Sequence, residues 1–166
     1  AVGGDLYLYA VGRNATGRVE VGGKLIRAAS AMDFQATLDV QQDLETLFVE
    51  RDLKATITAS GDINSITGKR TVEATIATEG DIGWITAGEN TDFSQGVLAG
   101  TITAYGDIGT VRTLVGYQEE VAQLPGTSLI IESQMGSIGS IEFDGGVTGT
   151  FTARFDIGQI QVSRVN

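Results

Sequence analysis

A repeat of 19 residues runs through this chain and constrains its fold more than any other feature. The units open with Gly-Asp-Ile or a variant of it, and they begin at Gly4, Gly23, Gln42, Gly61, Gly80, Gly106, Gly136 and Phe155. The steps are each 19 residues long except the two between Gly80 and Gly136, which are longer. A fixed period of this size is typical of a solenoid, in which each unit buries its apolar side against its neighbours.

Two apolar patterns recur in each unit. The third and sixth residues of the units, such as Ile82 and Ile85, are apolar, and an alternating segment such as ATITA from Ala55 follows. Inward residues three apart imply a bend, and we expect positive φ angles at the glycines found there, which are Gly83, Gly109, Gly139 and Gly158. We predict a single all-β domain over residues 1–166, a right-handed parallel β-helix (β-solenoid) of about eight 19-residue coils.

The two long units carry insertions between their two strands, within residues 87–96 and 113–126, so they belong to coils five and six. The one helical pattern, Gln118 to Leu124, falls in the second insertion. Insertions at one corner of a solenoid often form a binding surface. The candidate ligand lobe comprises Trp84, Glu89, Asp92, Phe93, Tyr117, Glu119 and Glu120, where Trp84 could stack on a sugar or pack under its own loop.

Composition and motifs exclude several classes of function. The net charge of −10 argues against nucleic acid as a partner, and no apolar run is long enough for a membrane span. The chain has no Cys and no His, and it contains no P-loop, nucleophile elbow, zinc spacing or dinucleotide fingerprint. The basic residues form no Asp–Lys–Arg cluster at matching repeat positions. We therefore expect no enzyme and no cofactor.

The second residue of most units is aspartate, at Asp5, Asp43, Asp62, Asp81, Asp107 and Asp156. We expect each carboxylate to cap its own turn by accepting backbone N–H bonds. The alternative is a calcium ladder, with Asp62, Asp81 and Asp107 as the candidate ligands.

Threonines recur on the alternating segment, and we expect them to face outward. This Thr face comprises Thr37, Thr56, Thr58, Thr75, Thr101, Thr103, Thr150 and Thr152. Flat Thr arrays on solenoids are typical of ice-binding proteins, but Thr is also a good strand residue that tolerates solvent. The run Leu129–Ile131 interrupts the array.

The strings GDINSITG at Gly61, GDIGWITAG at Gly80 and GSIGSIEF at Gly136 resemble the "GDIGSIT-G" repeats of large bacterial surface proteins familiar from planctomycetes. The resemblance covers residues 42–160 well and the first two units loosely. It implies a β-helix in an extracellular or cell-surface setting, with a structural or adhesive role and no catalytic residues.

A solenoid exposes an unpaired strand edge at each end unless a cap covers it. We see no capping helix before Gly4 or after Phe155, so we expect either a piece of a longer solenoid or ends that pair with other copies. The predicted function is a non-enzymatic subunit of an extracellular filament or surface layer. Head-to-tail assembly would use Leu6, Leu8, Tyr9, Ile157 and Ile160. The alternative is a monomeric binding module for a glycan, as in an adhesin, or for ice.

Overall fold

The computed structural model describes residues 1–89, 96–114, 128–144 and 147–163, and these residues form two all-parallel β-sheets. The prediction of an all-β parallel β-helix is confirmed. No helix that could cross a membrane occurs among the described residues.

Sheet 1 contains the strands that begin with the Gly-Asp-Ile motif of each unit. In stacking order its strands are β1 (Tyr9–Val11), β3 (Leu25–Ser30), β5 (Leu44–Val49), β7 (Ile63–Gly68), β9 (Ile82–Ala87), β11 (Ile108–Thr113), β13 (Ile138–Asp144) and β15 (Ile157–Ser163).

Sheet 2 contains the alternating segments. Its strands, from one edge to the other, are β2 (Ala15–Val21), β4 (Phe34–Val40), β6 (Thr56–Ala59), β8 (Thr71–Thr78), β10 (Val97–Ala104), β12 (Ser128–Ser133) and β14 (Thr148–Ala153). Val2 extends this sheet beyond β2, because it bridges to Val21 and accepts a hydrogen bond from the Gly22 N–H.

Each residue pairs with its equivalent in the next coil, so identical positions stack in columns. The first column contains Leu25, Leu44, Ile63, Ile82, Ile108 and Ile138, which are all buried. Sheet 2 contributes a facing column of Leu38, Ile57, Ile76, Ile102 and Ile131. This repeated burial of aliphatic side chains between two sheets is the main stabilising contribution.

A further core column lies where the chain enters sheet 2, and the sequence analysis did not predict it. Phe34, Leu53 and Val72 are fully buried and connected by parallel bridges. Ala15 and Leu98 continue the column at either side. The sequence signal that would have found this column is the alternation of the sheet 2 segments, which extends back to it, as in Leu53, Ala55, Ile57 and Ala59.

The predicted reason for the glycines near the start of sheet 1 strands is wrong. Among the described residues only Gly17, Gly88 and Gly100 have positive φ angles. At Gly83 and Gly109 the constraint is a close approach, because an added Cβ would lie within 3.0 Å of a carbonyl oxygen in the preceding coil. The third and sixth residues of units two to seven lie inside as expected, as Ile63 and Ile66 show.

The two insertions fall between a sheet 1 strand and the following sheet 2 strand, as predicted, since β9 is followed by β10 and β11 by β12. The helical pattern from Gln118 to Leu124 lies outside the described residues.

Candidate functional site

The aspartates at the second position of the units form a hydrogen-bonded row along one corner of the solenoid, broken at Lys24. In five of them, all except Asp156, the carboxylate Oδ1 accepts the backbone N–H of the equivalent residue in the next coil. The bonds run from Lys24 to Asp5 (2.8 Å), Asp62 to Asp43 (3.1 Å), Asp81 to Asp62 (2.9 Å), Asp107 to Asp81 (2.7 Å) and Ser137 to Asp107 (2.7 Å). The carboxylates therefore accept backbone N–H groups, as expected, but they connect neighbouring coils rather than capping their own turns.

The glycine that starts five of the units makes room for this row. A Cβ added at Gly106 would lie within 3.0 Å of Asp81 Oδ1, and one at Gly61 would meet Asp43 Oδ1 in the same way. Glycine and aspartate in the motif thus serve different contacts. The aspartate accepts a backbone hydrogen bond from the coil that follows it. The glycine, which has no Cβ, leaves room for the carboxylate of the coil that precedes it.

Lys24 occupies an aspartate position and interrupts the acidic row. Its Nζ lies 2.6 Å from Asp43 Oδ2. The hydrogen bond from Lys24 is the main cause that lowers the pKa of Asp43, and the same bond is the main cause that raises the pKa of Lys24. The lysine therefore offsets part of the repulsion between stacked carboxylates at this end of the row.

The described residues hold no group of three or more acidic, His or Cys side chains arranged to bind a metal ion. In the calcium alternative, the Oδ1 atoms of Asp62, Asp81 and Asp107 would have to serve a cation while also accepting a backbone N–H.

The Thr face lies on the outer side of sheet 2, as the alternation of these segments predicts. Thr37, Thr56, Thr75 and Thr101 are side by side in register. Ile130 then separates Thr101 from Thr150, and its side chain is 42% exposed. In the neighbouring row, Thr58 and Thr103 flank Ala77, and Glu132 separates Thr103 from Thr152. Ice binding by this interrupted face stays a prediction.

A groove of about 680 Å³ lies over that second row. The small Ala77 side chain lies between Thr58 and Thr103 and forms part of its lining. The rim carries two carboxylates, from Asp39 and Glu79, and the aromatic ring of Tyr105, which is 54% exposed. The sequence analysis missed this groove because its lining comes from several neighbouring coils.

The candidate ligand lobe is only partly described. Trp84 is 45% exposed and lies in register between Ser65, which is buried, and Thr110, which is half-buried. Glu89 lies 3.2 Å from Lys69 Nζ, which also binds Glu50 at 2.7 Å. The remaining predicted lobe residues, Asp92, Phe93, Tyr117, Glu119 and Glu120, lie outside the described residues.

The residues predicted for assembly lie at opposite ends of sheet 1. Leu6 and Tyr9 are half-buried and pack on the core at the β1 end. Ile157 and Ile160 belong to β15 at the other end. Leu8 differs from the other four, because it precedes the pair Tyr9–Ala28 by one residue and is exposed on the outer side of the sheet.

A second side-chain ladder lies at another corner and was not predicted. Asn14 Oδ1 accepts the Asp33 N–H, and Asp33 Oδ1 accepts the Asp52 N–H. Asp52 Oδ1 is buried without a hydrogen-bond partner, and the Arg70 Nε lies 3.6 Å from it. The spacing of 19 between Asn14, Asp33 and Asp52 is the sequence signal that would have revealed this ladder.

No family model matches the chain, and neither a curated protein nor a solved structure matches it.

Proposed function

We propose that this protein is a non-enzymatic structural subunit that assembles head to tail through the two ends of its β-solenoid. An extracellular filament or surface layer is the setting that fits the resemblance of its repeats to those of bacterial surface proteins. The net charge of −10 favours separation of filaments from one another, because the acidic flanks repel sideways.

The observation that carries the proposal is the exposure of core positions on β15. Ile138 and Ile141 are fully buried, whereas their partners in the next strand, Ile157 and Ile160, are 36% and 50% exposed. Val162 is also exposed, although its neighbour Phe143 is buried. Stacking a further coil on this edge would bury three apolar side chains, with a gain of about 25 cal/mol per Å² of apolar surface covered.

The β1 end offers the complementary surface. Leu6 and Tyr9 occupy the same two columns as Ile157 and Ile160, and they are only half-buried. Contact between the two different ends is heterologous, so each addition regenerates a free end and the assembly grows as a filament. Backbone pairing of β15 with the β1 segment would continue sheet 1 without interruption.

The experiment compares two charge-matched variants of β15. Ile157→Lys with Ile160→Lys places charges in the columns that stacking would bury. Gln159→Lys with Gln161→Lys adds the same charge on the same strand at exposed outward positions. We expect filaments of the unmodified chain and of the glutamine variant in electron microscopy and sedimentation, and only monomers of the isoleucine variant.

A chain that stays monomeric at high concentration, or an isoleucine variant that assembles as well as the glutamine variant, contradicts the proposal. The alternative function is then a monomeric binding module. The groove rimmed by Tyr105, Asp39 and Glu79 favours a glycan as its ligand, because an exposed aromatic ring and carboxylates suit sugar faces and hydroxyls.

A further inference from the structure

The residue type at the first position of each coil depends on the residue type at the second position of the coil before it. Wherever that second residue is aspartate, the next coil begins with glycine, and an added Cβ would lie within 3.0 Å of the aspartate Oδ1. This holds for Asp5 and Gly23, Asp43 and Gly61, Asp62 and Gly80, Asp81 and Gly106, and Asp107 and Gly136.

The two steps without an aspartate carry a side chain instead of the glycine. The coil after Lys24 begins with Gln42, and the coil after Ser137 begins with Phe155. Glycine at the first position therefore accompanies the carboxylate of the coil before it. The missing Cβ of the glycine leaves a space that the carboxylate oxygen fills. We call the glycine of each pair the notch and the aspartate the peg.

One notch and one peg are left without a counterpart among the described residues. Gly4 begins its coil with glycine, yet no atom lies within 4 Å of the position that a Cβ would take. At the other edge of the described stack, Asp156 follows the peg pattern and is exposed, and no described strand pairs with β15 on the side away from β13.

We propose that Asp156 of one copy inserts at Gly4 of the next copy and thereby sets the register of the head-to-tail contact. This inference rests on the proposed function and names the residues that align its interface. The occupant is a second copy of this chain, because the described stack carries the unmatched glycine at one edge and the matching aspartate at the opposite edge, so two copies complement each other.

The internal steps define the bonds of this contact. Asp156 Oδ1 accepts the Asp5 N–H, as Asp5 Oδ1 accepts the Lys24 N–H. The Ile157 N–H donates to the Asp5 carbonyl, as the Leu6 N–H donates to the Lys24 carbonyl. In this register Ile157 covers Leu6, and Ile160 covers Tyr9. The same alignment of the two copies therefore forms the hydrogen bonds and continues the apolar columns.

The contact can be tested by closing the notch. Gly4→Ala adds a methyl group where Asp156 would bind, while leaving the monomer unstrained, since its surroundings are open and its φ angle is not positive. Gly12→Ala is the matched control, because Gly12 is equally open and the equivalent positions in later coils are Ala31 and Glu50. We expect Gly4→Ala to raise the critical concentration for assembly about tenfold or more, and Gly12→Ala to leave it unchanged.

Removal of the peg completes the test. Asp156→Ala should weaken assembly by loss of the charge-assisted bond, and Asp156→Asn should weaken it less because the amide oxygen still accepts. Gly4→Ala combined with Asp156→Ala should assemble no worse than either single variant, as the natural pairs Lys24–Gln42 and Ser137–Phe155 fit without glycine. Such non-additivity is the signature of direct contact.

The outcomes separate this inference from the proposed function. If the unmodified chain forms filaments but Gly4→Ala behaves like Gly12→Ala, or if the two single effects simply add, the register is wrong while head-to-tail assembly stands. If the unmodified chain forms no filaments, both proposals fail.

Discussion

Ile82 in the middle of the solenoid and Ile157 at its edge are the same residue at the same position of the repeat. Ile82 is 1% exposed, because β7 and β11 cover it on both sides, whereas β13 is the only described strand beside Ile157. The repeat thus determines which column a side chain joins, and the neighbouring coils determine whether that column is closed. An apolar residue in an open column is a surface available for association.

Replacement of each isoleucine by aspartate gives the largest expected effect. Ile82→Asp would bury a charge without a partner and should lower the free energy of unfolding by ~3–5 kcal/mol. Ile157→Asp should cost the monomer less than ~1 kcal/mol, because water reaches that side chain. Denaturant unfolding at a concentration too low for assembly measures both, and equal losses would contradict the difference between middle and edge.

Within the middle of the solenoid, the notch and peg can be tested without assembly. Gly106→Ala forces Asp81 Oδ1 away from the Asp107 N–H, and we expect a loss of about 1–3 kcal/mol in unfolding free energy. Adding Asp81→Ala should recover part of that loss, because the nearest remaining backbone atom is 3.3 Å from the new Cβ.

Gln42→Ala is the control for this pair, since a Cβ already occupies the first position of the coil that follows Lys24. It should change stability by no more than ~0.5 kcal/mol. A double variant that is no more stable than the sum of its single effects predicts would show that the carboxylate is not what the glycine accommodates.

The repeat was sufficient to predict the parallel strands, the two main core columns and the position of the insertions, because period and alternation specify which residues stack. The repeat was not sufficient to predict why glycine recurs at fixed positions. The sequence shows that Gly83 and Gly106 recur, but only the separation between coils shows that a carbonyl or a carboxylate fills the space beside them. The groove over Ala77 was missed for a related reason, because its shape depends on side chains from neighbouring coils.

The smallest expected effect concerns Lys24, the one cation in the aspartate row. Its hydrogen bond holds the pKa of Asp43 below the ordinary 3.8, so this contribution to stability is present above that pH and is lost as the pH falls through the folded-state value. The pKa of Lys24 is raised above the ordinary 10.5. Its contribution to stability is therefore present below pH 10.5 and is lost as the pH rises through the folded-state pKa of Lys24.

Lys24→Met should therefore be slightly less stable than the unmodified chain between these limits, and the difference should vanish toward both extremes of pH. Lys54→Met removes the same charge from an exposed pair with Glu73 (3.1 Å) that lies outside the aspartate row, and it controls for net charge. Thermal unfolding across the pH range measures the difference between the two variants. A destabilisation by Lys24→Met that persists unchanged at pH values well below the folded-state pKa of Asp43 would show that the lysine acts through packing rather than through its bond to that carboxylate.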